Sequence, residues 1–202
     1  MNLVETIIAA SQNKNKIKEM EAITREFGMR VISRDEMGID DIEIVEDGET
    51  FEENSLKKAR EIMKLCGKIT IADDSGVVVD ALSGAPGVHS ARYAGDECDD
   101  KKNRDKLLKE LEGVPLEKRT ARFVSVISMV YPDGRELVAR GESEGRIIFE
   151  ERGANGFGYD CLFIPFGYEK TFAELTPEEK NKISHRACAL KRLRDKLEGQ
   201  ND

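Results

Sequence analysis

No stretch of the chain approaches the ~20 consecutive apolar residues that a membrane-spanning helix needs. No two of its four cysteines, Cys66, Cys98, Cys161 and Cys188, stand at metal-knuckle spacing. There is no internal repeat, no low-complexity segment and no excess of positive charge. Each absence removes a class of function. The first argues against a helical membrane protein and the second against a zinc knuckle. A net charge of −8 argues against nonspecific binding of nucleic-acid polymers. It leaves open a small phosphate compound, because local lysines or a metal ion override the global balance. The first residues, "MNLVETIIAASQNKNK", do not have a signal-peptide layout. The expectation is a cytoplasmic, reduced protein whose cysteines are small core residues.

What is present is a heavily charged globular chain. Its 202 residues, 39% hydrophobic and 36% charged, suit one sizeable domain or one domain in two lobes. "TIIAA" (6–10) reads as a short buried strand. The segment after it carries Ile17, Met20, Ile23 and Phe27 at helical spacing, with Gly28 as the stop. "MRVIS" (29–33) reads as a second strand. A second helix follows an acidic loop and ends near Gly67, and "KITIA" leads as a strand into Asp73 and Asp74, where it stops. Residues 83–87 read as a loop and 100–113 as an amphipathic helix. Residues 121–151 alternate, are rich in β-branched side chains and hold a "YPDG" turn, which predicts a β-meander. A last helical region opens with Thr176 as cap, Pro177 at the first position and Glu179 completing a capping box. The mixture predicts an α/β or α+β protein with one central sheet.

Several segments could carry chemistry. "SQNKNK" places Ser11, Asn13, Lys14 and Lys16 where a strand feeds a helix, an anion-attracting end. It lacks the glycines of a Walker loop, and a capped helix with solvated lysines explains it equally well. The acidic residues Glu43, Glu46, Asp47, Glu49, Glu52 and Glu53, with Asp73 and Asp74 beyond, offer carboxylates from two segments for Mg²⁺. For most of the glutamates an ordinary acidic surface is the simpler account. Asp73 and Asp74 differ, because they are adjacent like charges beside an interior. A metal ion, a proton to abstract or a tight turn would each account for them. "ANGFGYD" sets Phe157 and Tyr159 among glycines, for stacking on a base or for a bulged strand with core aromatics. His185, one of two histidines, is followed by Arg186, and both can donate to a carbonyl or a phosphate. "GESEG" (141–145) matches the nucleophile elbow, but its neighbours read as a strand, which argues against Ser143 as a nucleophile.

Taken in order, "SQNKNKIKE", "EDGETFEENSLKKA", "IADDSG", "GAPGVHSARYAG", "GFGYD" and "FAELTPEEKNKISHR" resemble the inosine/xanthosine triphosphate pyrophosphatases, the Ham1-like proteins. The resemblance runs from Ile7 to about Leu193. It implies an elongated, two-lobed α/β fold around a long mixed β-sheet, with a nucleotide-binding cleft between the lobes and the whole chain as one pyrophosphatase domain. It implies Mg²⁺-dependent cleavage of ITP, dITP and XTP to the monophosphate and pyrophosphate, which cleanses the nucleotide pool, and a homodimer. By motif position, Ser11, Gln12, Asn13, Lys14, Asn15 and Lys16 resemble the triphosphate-binding turn, with Gln12 where a glycine is common. Glu46 resembles the metal-binding glutamate, Lys58 belongs to the "ENxxxKA" element with Glu53 and Asn54, Asp74 resembles the proton acceptor and a metal ligand, and Ser75 a substrate contact. Phe157, Gly158, Tyr159 and Asp160 resemble the base-binding segment, and Lys180, His185 and Arg186 the C-terminal substrate contacts. Cys161 stands where proline is common.

The resemblance implies that Asp74 activates a water for attack on the α-phosphorus, with lysines and Mg²⁺ neutralising the polyanion. Donors at His185 and Arg186 would favour a 6-keto purine over adenine. Two readings compete. One is a nucleotide-binding protein without catalysis, disfavoured because Lys16, Glu46 and Asp74 are all present. The other is a Maf-type pyrophosphatase acting on modified pyrimidine triphosphates, which "GFGYD" and "SHR" fit less well.

Overall fold

The computed structural model describes residues 5–39, 42 and 44–199. The first strand, β1 (Glu5–Ala9), buries Ile7, Ile8 and Ala9 alike. A strand covered on both faces reads as a continuous apolar run and not as an alternation. It pairs in parallel with β2 (Met29–Ser33), Ile7 opposite Val31, and with β3 (Thr70–Val79), Ile8 opposite Thr70. Parallel neighbours need crossover connections. These are α1 (Lys14–Thr24), which buries Met20 and Ile23, and α2 (Phe51–Cys66). Both helical segments end at left-handed glycines, Gly28 and Gly67.

Beyond β3 come α3 (Asp100–Glu110), β4 (Thr120–Val130), β5 (Glu136–Ile147) and the short β6 (Phe163–Pro165). The tight 131–135 turn joins β4 and β5 as a hairpin, and β6 runs antiparallel to β5. The described chain closes with α4 (Pro177–Ile183) and α5 (His185–Glu198). The strand order is β2-β1-β3-β4-β5-β6, a six-stranded mixed sheet, so the expected α/β class and mixed sheet are present. Among the described residues no helix is long and apolar enough to cross a membrane.

Three local expectations change. The strand through "KITIA" does not stop at the acids but runs through Asp73 and Asp74 to Val79. The expected meander is two long strands, and Ser143 lies inside β5 with no strand-to-helix turn around it. The C-terminal helix is two helices, because Ser184 has an extended backbone (φ −70°, ψ 155°) between them. Ser184 ends α4 and precedes α5, a position where serine is favoured.

The chain divides into two compact units. The first holds the residues up to Asp74, residues 125–141 and the chain from Arg186 onward. Successive strand residues there serve opposite faces of the sheet. Ile7, Ile71, Ile127 and Met129 pack with Met20 of α1 and Leu190 and Leu193 of α5. Ile8, Ala72 and Val130 pack with Ala59 and Ile62 of α2. The second unit, residues 75–124 and 142–185, centres on Phe123, Phe163 and Phe172. Phe163 meets Phe123 edge-on at 4.9 Å between centroids and lies 5.1 Å from Phe172.

Phe163 is fully buried and Leu65 is 54% exposed. Phe163→Ala should therefore cost about 3–5 kcal/mol of unfolding free energy. Leu65→Ala should stay within about 0.5 kcal/mol. Urea denaturation of the two variants beside the parent measures both.

Candidate active site

The adjacent acids do not face each other. Side chains alternate along β3, so Asp73 takes the face of Ile71, covered by α1 and α5, and Asp74 the face of Ala72, covered by α2. Each acid is then met by different partners. Asp73 Oδ2 pairs with Lys16 Nζ at 2.9 Å and Arg186 Nη2 at 3.0 Å, and Ser125 Oγ donates to its other oxygen. Arg186 reaches Glu19 with its other terminal nitrogen. This face therefore holds two acids, Asp73 and Glu19, and two cations, Lys16 and Arg186. Complete burial acts to raise the Asp73 pKa, but Arg186 and Lys16 outweigh it and hold the carboxyl well below the usual range.

The α2 face is not balanced. Lys58 Nζ lies 2.8 Å from Asp74 Oδ1 and 3.1 Å from Glu46 Oε2, one cation between two carboxylates. Burial lifts the Asp74 pKa against the pull of Lys58 and Lys16, and the negative charge of Glu46 adds to the rise. Glu46 goes the other way: burial acts upward, but Lys58 outweighs it and the pKa falls. Asp74 is thus the stronger base of the two. Its Oδ2 is buried and receives no hydrogen bond from a donor.

Helix α2 builds this arrangement from four neighbouring residues. Thr50 caps it, and Glu53 completes a capping box by accepting from the Thr50 and Glu49 amides. Asn54 accepts from the Gly48 N–H at 2.8 Å and donates to the Gly48 carbonyl, which pins the acidic loop to the helix. Ser55 Oγ donates to the Ala72 carbonyl on β3 at 3.2 Å, and Lys58, one turn after Asn54, reaches both acids. The loop approaches so closely that a Cβ on Gly48 would lie 2.7 Å from Asn54 Oδ1 and 2.8 Å from Glu53 Cβ. With Gly48 held, Glu46 is the loop carboxylate that turns inward. Asp47 pairs outward with Lys57 at 2.7 Å, Glu52 with Arg140 at 3.0 Å, and Glu49 is exposed. Glu43 lies outside the described residues.

The "SQNKNK" turn is a capped helix start with one lysine turned inward. Asn13 Oδ1 accepts from the Asn15 and Lys16 amides, and Ser11 Oγ from the Asn13 amide. Gln12, Asn13, Lys14 and Asn15 are exposed. Lys16 is not a solvated lysine, since it is bound to Asp73. Ser75 follows Asp74 on β3 and is half-buried.

In the second unit, Asp160 organises the "GFGYD" segment. Its Oδ2 accepts from the Phe157 amide at 3.0 Å and pairs with Lys180 Nζ at 2.7 Å. Lys180 Nζ also stands 5.1 Å from the centre of the half-buried Phe157 ring. His185 stacks on Phe123 at 4.8 Å. Tyr159 is a core residue: its hydroxyl donates to the Ser90 carbonyl at 2.8 Å, and burial raises its pKa. Burial likewise pushes the neighbouring Cys161 thiol up to about 11, an inert state at neutral pH.

The sequence profile of the Ham1 family matches residues 7–196. The chain belongs to the Ham1 family. A dITP/XTP pyrophosphatase of Clostridium perfringens is 50% identical over 202 residues, covering 97% of this chain and 98% of its own. The dITP/XTP pyrophosphatase of Bacillus subtilis is 48% identical over 198 residues, covering 98% and 100%. The solved structure of the Staphylococcus aureus Ham1 protein superposes with a TM-score of 0.85 at 42% identity, over 97% of this chain and 100% of that one.

Within this Ham1-family chain, the residues picked out by motif fall into two groups. Lys16, Glu46, Lys58, Asp74 and Arg186 gather in the first unit, and Phe157, Asp160, Lys180 and His185 in the second. The adjacent His185 and Arg186 part company: Arg186 is fully buried, with its guanidinium on Asp73 and Glu19. Three members of the network were not read from the sequence. Asp73 was visible but without a role, and Ser125 and Glu19 carried no signal, because only the fold brings them to Asp73 and Arg186. Among the described residues no group of three or more His, Cys, Asp or Glu side chains is placed to hold a metal ion.

Asp73→Asn would leave Lys16 and Arg186 facing a neutral amide in a buried place. The expected loss is about 3–5 kcal/mol of stability at pH 7, measured by urea unfolding. The sign with pH follows from the lowered native pKa. The native carboxylate stabilises fully above the unfolded value of about 3.9, and this is lost as pH falls through the native pKa. The gap between parent and variant should therefore close on acidification below pH ~4.

Proposed function

We propose that the chain hydrolyses deaminated purine nucleoside triphosphates (ITP, dITP and XTP) to the monophosphate and pyrophosphate. The single observation that carries this reading is the unbalanced cluster: a raised, buried Asp74 carboxylate with one oxygen free of donors, beside Glu46 and held by Lys58. A binding protein has no use for a carboxylate base whose ionisation is maintained by a dedicated lysine. The names of the C. perfringens and B. subtilis relatives support the substrate class.

Two carboxylates against one cation leave an excess negative charge at Asp74 and Glu46, which suits Mg²⁺. Magnesium is commonly held by one or two carboxylates with substrate phosphates and water completing its shell, so a pair of acids fits where a closed protein cage is missing. Glu46 and Asp74 would hold it, and when bound it would neutralise phosphate charge and acidify water.

The chain's own residues do the rest. Asp74 Oδ2 accepts the proton of the water that attacks the α-phosphorus. Lys58 keeps Asp74 ionised, offsetting part of the rise that burial causes. Lys14 and Lys16, at the positive end of the α1 dipole, bind the triphosphate. Lys16 would exchange Asp73 for a phosphate oxygen, while Arg186 keeps Asp73 compensated throughout. In the second unit Phe157 stacks on the base, and His185 donates to the 6-keto oxygen that hypoxanthine and xanthine present and adenine does not. Losing such a contact costs about 1–3 kcal/mol, or on the order of tenfold to a hundredfold in kcat/KM.

The test is a panel of nucleoside triphosphates with Mg²⁺, scoring monophosphate and pyrophosphate. Cleavage of dITP and XTP well above dATP is expected, and equal kcat/KM for dITP and dATP would sink the selectivity argument. Asp74→Asn should lower kcat by about 10²-fold or more. Lys58→Met should raise the Asp74 pKa further, so the acid limb of the kcat profile moves to higher pH.

A further inference from the structure

Phe157 is followed by a glycine held through its backbone. Gly158 has a left-handed backbone (φ +61°), and no atom lies within 4 Å of where its Cβ would be. A glycine takes this left-handed conformation without the steric cost that a side chain brings. Two side chains of α3 restrain it. Asp100 Oδ2 accepts from the Gly158 N–H at 2.8 Å, and Arg104 Nη1 donates to the Gly158 carbonyl at 3.0 Å. Arg104 is itself fixed, with Nε donating to Glu151 at 3.0 Å and the side chain only 16% exposed. Asn103, between them on the same helix face, is buried and does the same for a second turn. Its Oδ1 accepts from the Ala94 N–H and its Nδ2 donates to the Ala91 carbonyl at 2.8 Å. The Tyr159 hydroxyl then ties the two turns together through the Ser90 carbonyl. One face of α3, one turn long, thus fixes the peptide that follows Phe157.

We infer that Asp100 and Arg104 are positioning residues for purine selection, acting through the N–H and C=O of Gly158 on the stance of Phe157 and so on how the base stacked there is presented to His185. This rests on the reading of Phe157 as the base-stacking residue. The Asp74 cluster lies in the other unit, so the effect belongs to base recognition and not to the chemical step. The geometry also separates the two residues. An asparagine at 100 retains an oxygen acceptor for the Gly158 amide, whereas a lysine at 104 cannot reproduce the two-pronged hold on Glu151 and Gly158.

The experiment is steady-state hydrolysis of dITP and dATP with Mg²⁺ by Asp100→Ala, Asp100→Asn, Arg104→Ala, Arg104→Lys and Phe157→Ala. Asp100→Ala and Arg104→Ala should each raise KM for dITP by about three- to tenfold, the worth of one hydrogen bond, with kcat changed less than about twofold. The ratio of kcat/KM for dITP over dATP should fall in step. Asp100→Asn should restore most of the loss, and Arg104→Lys should not. Unchanged KM and ratio in both alanine variants would overturn the inference, as would a loss confined to kcat. Phe157→Ala separates the two layers. If it raises KM and lowers the ratio while the α3 variants do neither, only the role of α3 fails; if it leaves both KM and the ratio untouched, the stacking role fails and takes this inference with it.

Discussion

Everything in the first unit depends on how two neighbouring carboxylates are kept charged inside a sheet. The alternation of a β-strand is the solution. It sends Asp73 and Asp74 to opposite faces, so that each meets its own cations and the repulsion between them is relieved by geometry. The two faces then diverge in character. On one, two acids and two cations close into a neutral network buried under α1 and α5. On the other, one lysine stands between two acids and leaves negative charge over. The balanced and the unbalanced acid are thus consecutive residues of one strand.

Helix α2 shows how little chain is needed to place such a centre. Its capping box fixes where the helix begins, Asn54 fixes the loop before it, Ser55 fixes the helix to β3 and Lys58 reads out the result. Each contact is ordinary, worth about 1 kcal/mol. Their spacing matters more than their strength, because an error in the helix start would rotate Lys58 away from both acids. The second unit repeats the device: Asn103 and its neighbours on α3 pin two turns by backbone hydrogen bonds, as Asn54 pins one.

Much of this was legible from the residues. The capping signals, the glycine stops and the apolar periodicity place the helices within a few residues, since these are local effects that local sequence carries. The ordered motifs named the family and most of the charged residues in the cluster. What escaped was non-local. Two acids in a row read as a strand end, because a strand that continues through them makes sense only once Lys16, Lys58 and Arg186 are known to converge there. "SHR" read as one pair of donors, because nothing in three letters says that a new helix begins at His185 and turns Arg186 onto Asp73. The inward glutamate of the acidic loop could be named only by motif, since both neighbouring acids meet a lysine of α2 and only the fold turns Glu46 inward and Asp47 outward.

The Asp73–Arg186 pair also dictates an order of events. The partners lie 113 positions apart, with the whole of the second unit's sequence between them. On the ribosome, Asp73 emerges with β3 long before Arg186 exists, and until α5 covers that face its partners are Lys16 and, once β4 has followed, Ser125. The second unit is uninterrupted by that wait, because all of its chain precedes Arg186. The neutral face of the sheet therefore closes only when α5 arrives. The first unit is begun first and finished last, and a nascent chain carries the whole of the second unit before it can complete the buried network of the first.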